Sequence, residues 1–119
     1  MTPFGEKVRT LRDDRNITLK QMAADLELSP AYLSSLEHGH RGRPSEALTV
    51  QICEYFNLIW DDFEEMHRLA RLSHPKVTVD TSGLSPAHTE LANTLAEKVQ
   101  DISEQDAIAL LARLRGVLF

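Results

Sequence analysis

The run His38-Gly39-His40-Arg41-Gly42-Arg43 holds two imidazoles and two guanidinium groups and not one acid. Cations gathered on a loop can contact phosphate even in a protein whose average charge is negative. The other reading of the same run is a solvated surface loop. Nucleophilic and metal chemistry find less to work with. Cys53 is the single cysteine, which excludes an internal disulfide and a Cys-cluster zinc site and fits a reducing compartment. It falls on an inward helical position, as a small core residue would. Ser34, Ser35 and His38 share one helix and lack an acid to orient a base. His38, His40, His67, His74 and His88 form no pattern with Cys or Glu that reads as a metal site. There is no Gly-rich phosphate loop of either standard kind. The acid run Asp61-Asp62-Phe63-Glu64-Glu65 reads as charge complementing a helix dipole. These residues predict no enzyme, no metal and no cofactor.

The elements that must carry the basic loop follow from composition and period. The chain of 119 residues suits one small domain with an appendage rather than two full cores. Its 42% hydrophobic content argues against disorder. The apolar stretches are short and interrupted by charge, so no transmembrane helix is expected. The first residues lack the cationic-then-apolar order of a signal peptide, and a cytoplasmic location is expected. Net formal charge is −5. Residues 1–50 are neutral, with seven Lys/Arg against seven Asp/Glu, so the whole deficit lies in residues 51–119.

The pattern is helical nearly throughout. Phe4, Val8 and Leu11 make the stripe of a first helix that gives out near Asn16. Thr18 is an N-cap for a short second helix with Met22, Ala23 and Leu26 inward. Glu27-Leu28 turns the chain, and Ser29-Pro30 opens a third helix, since proline at the first helical position has no amide hydrogen to leave unbonded. Leu33 and Leu36 face inward and Gly39 stops the helix. Pro44-Ser45 starts a fourth helix with Leu48, Ile52, Cys53 and Phe56 inside. A fifth follows the turn at Asn57-Leu58-Ile59, with Trp60, Phe63, Met66, His67 and Ala70 on one stripe. Residues 73–84 break the period, and alternating Val77 and Val79 suit a short edge strand. Ser85-Pro86 opens a helix with Leu91, Leu95, Val99 and Ile102 on one side. Ser103 and Asp106 start a last helix in capping-box manner, apolar at Ala107, Ile108, Leu110, Leu111, Leu114, Val117, Leu118 and Phe119.

Two short helices joined by a three-to-four-residue turn form a helix-turn-helix unit. The second helix of such a unit fits the major groove, and its N-terminal residues can reach base edges. The pair needs a small residue where the helices touch, supplied by Ala23, apolar residues to lock it, and short polar side chains on the outer face. The stretch from Ile17 to Ser45, Ile-Thr-Leu-Lys-Gln-Met-Ala-Ala-Asp-Leu-Glu-Leu-Ser-Pro-Ala-Tyr-Leu-Ser-Ser-Leu-Glu-His-Gly-His-Arg-Gly-Arg-Pro-Ser, resembles the phage-repressor-like helix-turn-helix family, the XRE class of lambda-type repressors and Cro. The resemblance covers about residues 4–70. It is dense at Ala23, Ser29, Tyr32, Leu33, Leu36, Glu37, Gly39, Pro44 and Ser45. It implies an all-α fold, a five-helix lambda-repressor-like DNA-binding domain with its recognition helix at about 30–38.

The resemblance also implies that Ser29, Pro30, Ala31, Tyr32, Ser34 and Ser35 face the bases. Thr18, Lys20, Gln21, His40, Arg41 and Arg43 would then contact phosphate. Glu37 reads as a structural acid, with Arg12 its expected partner. One departure stands out: many relatives carry Gln directly after the cap of the second helix, where this chain has Leu19. Apart from Tyr32 the base-facing residues are small or apolar, which suits thymine-methyl contacts, hydroxyls and water.

The expected organisation is a DNA-binding domain over 1–72, a linker over 73–85 and a helical dimerisation region over 86–119. Leu91, Leu95, Val99, Ile108, Leu111, Leu114 and Leu118 would form the seam between two copies. The alternative is a helix pair laid intramolecularly over the reader domain. Proteins of this class bind inverted repeats as two-fold dimers. The expected function is therefore a homodimeric, sequence-specific repressor, cytoplasmic and nucleoid-associated when bound to double-stranded DNA. The competing reading is an antitoxin or other interaction module whose tail holds a partner protein.

Overall fold

The computed structural model describes residues 1–116 and contains seven α-helices and no strand among them. They are α1 (Pro3–Asp14), α2 (Leu19–Asp25), α3 (Pro30–Glu37), α4 (Glu46–Tyr55), α5 (Asp61–Arg71), α6 (Pro86–Lys98) and α7 (Glu104–Gly116). The chain divides into two compact units, one spanning Met1–Val77 and a second beginning at Thr78.

Local chemistry starts most of these helices. The hydroxyls of Thr2, Thr18, Ser29 and Ser45 accept from the backbone N–H three residues on, at 3.0, 3.0, 3.1 and 3.1 Å. Ser85 and Ser103 cap α6 and α7 in the same way. In the first unit α1 packs against α3 and α5, α2 against α3, and α4 against α5. Phe4, Val8, Met22, Ala23, Leu33, Ile52, Cys53 and Met66 are wholly buried between them.

The start of α1 and the end of α3 approach closely in the core. A Cβ at Gly5 would collide with the Glu37 carbonyl, so only glycine lets the helices come this close. That carbonyl accepts from both the backbone N–H and the hydroxyl of Thr2, at 3.0 and 3.2 Å. Arg12 and Glu37, both buried, form a two-pronged ion pair: Nη1 bonds Oε2, and Nη2 reaches Oε1 at 3.4 Å. Glu37 thus holds α1 through its backbone and its side chain together.

Three expectations need correction. Trp60 lies outside the buried stripe of α5: it is the residue before the helix, takes φ 54°, and is 81% exposed. That positive φ turns its side chain away from the face that buries Met66 and Ala70. Val77 and Val79 form no strand and stand exposed, since no second strand among the described residues offers them hydrogen bonds. Ser73 is not a linker residue. It is buried, its hydroxyl accepts from the Phe4 N–H at 2.9 Å and donates to the Leu69 carbonyl at 2.6 Å, and it fastens the end of α5 to the start of α1. Leu118, with Val117 and Phe119 of the same expected stripe, lies outside the described residues.

Candidate nucleic-acid interface

The turn between α2 and α3 is built by a left-handed residue and an apolar anchor. Glu27 takes φ 58°, and the next N–H, of Leu28, returns to the Ala23 carbonyl at 2.8 Å. Leu26 and Leu28 pack half-buried against the core, and Ala23 lets the two helices touch. On the opposite side α3 presents Ser29, Pro30 and Ala31 exposed, with Tyr32, Ser34 and Ser35 half-buried. These are the residues expected to face bases, and they lie on the first two turns of a helix whose inner face, Leu33 and Leu36, is locked in the core.

Thr18, Lys20, Gln21, His40, Arg41 and Arg43, the residues expected at phosphate, are all exposed. The structure adds connections between them and their surroundings. Thr18 and Ser34 line one open groove of about 570 Å³ with Arg9, Asn16 and His38. The Arg41 guanidinium sits 5.5 Å above the centre of the Tyr32 ring, a cation–π contact that links the basic loop to α3. Gln21 donates to Asp25 at 2.7 Å, and the other Asp25 oxygen accepts from the Tyr55 hydroxyl at 2.6 Å. Burial, then the hydrogen bond to Asp25 and its charge, push the Tyr55 phenol up to about 12. Gln21 therefore serves first as a brace within α2, and Tyr55 ties that helix to α4.

Sequence reasoning missed Arg15, whose guanidinium lies 5.2 Å from the Phe56 ring centre and donates to the Phe56 carbonyl at 3.3 Å. Its signal was absent because the partner is brought back by the α4–α5 turn. Burial pushes the Cys53 thiol up, with Glu54 adding to it, which leaves the sulfur a poor nucleophile. Among the described residues no three His, Cys, Asp or Glu gather where a metal could bind, and no helix is long and apolar enough to cross a membrane.

The helix-turn-helix domain family matches residues 3–66, more than half of the chain. The chain belongs to the XRE-like helix-turn-helix family. It is a DNA-binding regulator of a family that is not enzymatic. It is 27% identical over 117 residues to the HTH-type transcriptional repressor RghR of Bacillus subtilis (strain 168), an alignment covering 92% of this chain and 87% of that protein. It is 43% identical over 62 residues to the uncharacterized HTH-type transcriptional regulator RghRB of the same organism, covering 52% of this chain and 45% of the relative. No solved structure matches significantly.

Proposed function

We propose that the protein is a transcriptional repressor that binds inverted-repeat operators as a homodimer, with α3 in the major groove. The observation that carries the reading is the likeness to a named repressor over nearly the full length of both chains, tail included. Ser29, Pro30, Ala31, Tyr32, Ser34 and Ser35 read the base edges. Thr18, Lys20, Gln21, His40, Arg41 and Arg43 hold the backbone. Arg41 also rests on Tyr32, which couples the phosphate contact to the base-facing ring. Residues 1–72 are the reader, 73–85 the connection except for the buried Ser73, and 86–119 the dimerisation region.

Support for dimerisation comes from exposure. No described residue of α6 or α7 is buried, and Leu91, Leu95, Val99, Ile108, Leu111 and Leu114 are 43–61% exposed. Two helices with no buried side chain cannot offset their own ordering entropy, so this face requires a partner, and a second copy supplies the same face. A different protein on that face is the competing reading.

Footprinting on the DNA upstream of its own gene, in increasing salt, tests the proposal. The intact chain is expected to protect two lobes, and a chain ending at residue 77 to lose that protection while its helices persist. Absence of protection at low salt by a folded protein would overturn the reading and favour a partner-binding role.

A further inference from the structure

A second basic surface lies outside the helix-turn-helix unit, where the C-terminal end of α5 meets the loop that follows α3. A groove of about 320 Å³ is lined there by Arg43, Glu46 and Thr49 on one side and by His67, Ala70 and Arg71 on the other. The neighbouring backbone continues the contact. A Cβ at Gly42 would lie 4.0 Å from His74 Nε2, and one at Gly39 would lie 3.9 Å from Pro75. Residues 67–76, whose bases are far in sequence from the loop, are therefore folded beside His40, Arg41 and Arg43.

The charge of the combined face is unlike that of the chain. Residues 38–46 and 67–76 hold five Lys/Arg and one acid, Glu46, in a protein of net charge −5. Arg68 is engaged by Glu65, at 2.8 Å. Arg43, Arg71 and Lys76 form no ion pair among the described residues and are exposed, as is His74. Unpaired cations assembled on one face repel one another unless an anion lies between them, and guanidinium groups match phosphate oxygens in geometry as well as charge.

We propose that Arg71, across the groove from Arg43, and Lys76, next to the Pro75 that meets Gly39, form an additional phosphate-binding surface for the DNA backbone, extending the footprint of the reader onto the end of α5. The inference rests on the DNA-binding reading above. Such contacts fix register and add affinity without reading sequence. They also gather cations on one face of a unit, residues 1–77, in which ten Lys/Arg are outnumbered by twelve Asp/Glu.

The test uses the full chain with Arg71→Gln and Lys76→Gln, both at exposed positions, and Lys7→Gln on α1 as the reference substitution. Affinity is measured for the upstream DNA and for a random duplex of equal length between about 50 and 200 mM salt. Each of the first two variants is expected to weaken binding to both duplexes by the same factor. Each is also expected to flatten the log-affinity against log-salt slope by about 0.9 for the phosphate lost. Lys7→Gln is expected to change neither. A parent protein that binds steeply while both variants keep its slope would overturn this surface and leave the repressor reading intact. A parent protein that binds neither duplex would overturn both. A folded chain whose Arg71 and His67 resonances move with millimolar inorganic phosphate while the DNA slope stays unchanged would show a free-anion site and likewise overturn the proposal.

Discussion

Glu37 ties α3 to α1 in three ways. Its carboxylate is buried against Arg12, its carbonyl receives Thr2 twice, and its backbone closes on Gly5. Taking either charge away leaves the other buried without compensation. Arg12→Ala is expected to destabilise the first unit by about 3–5 kcal/mol, a cost that replacing both partners with apolar residues of similar size removes in large part. Urea unfolding of Arg12→Ala and of Arg12→Met with Glu37→Leu checks this, and equal losses in the two would show that the pair matters for its volume alone. The ion pair was legible because the resemblance placed both residues. The role of Gly5 was not, because its requirement comes from a carbonyl on another helix and leaves no trace in neighbouring residues.

At the scale of elements, α2 and α3 keep their angle through small-residue contact at Ala23 and the left-handed Glu27, while the bridge from Tyr55 on α4 through Asp25 to Gln21 fixes α2 against α4. The bridge has a titration signature. The Tyr55 phenol is pushed up to about 12 from an ordinary value of 10, so folding favours its protonated form. Its contribution is whole below pH 10 and is lost as pH rises through 12. In a Tyr32→Phe background, phenolate absorbance of Tyr55 is expected to rise with a midpoint near 12. Asp25→Asn is expected to bring that midpoint back toward 10, the part due to burial remaining. A midpoint at the ordinary value in the parent would break the bridge. The starts of α2, α3 and α4 were legible as caps because a cap is chemistry between residues three apart. The edge strand expected at Val77 and Val79 failed because alternation describes one strand and says nothing of its partner.

The whole molecule pairs a unit with a dense apolar core and one in whose two helices no described residue is buried. That imbalance makes oligomeric state the property to measure. The parent chain is expected to sediment as a dimer, and Leu111→Asp or Leu114→Asp as a monomer with the first unit still folded. A monomeric parent at micromolar concentration would sink the seam.

Period, caps and turn residues belong to the chain before it folds, because they act between neighbours one to four residues apart. The sequence by itself therefore determined the seven helices, the helix-turn-helix spacing and the apolar stripe of the tail. What depends on distant segments arriving together was decided only by tertiary packing: the glycine at α1, the serine that joins α5 to α1, the outward Trp60, and the placement of Arg71 and Lys76 beside the basic loop. Packing of helix on helix chooses which distant groups become neighbours, and no local pattern encodes that choice.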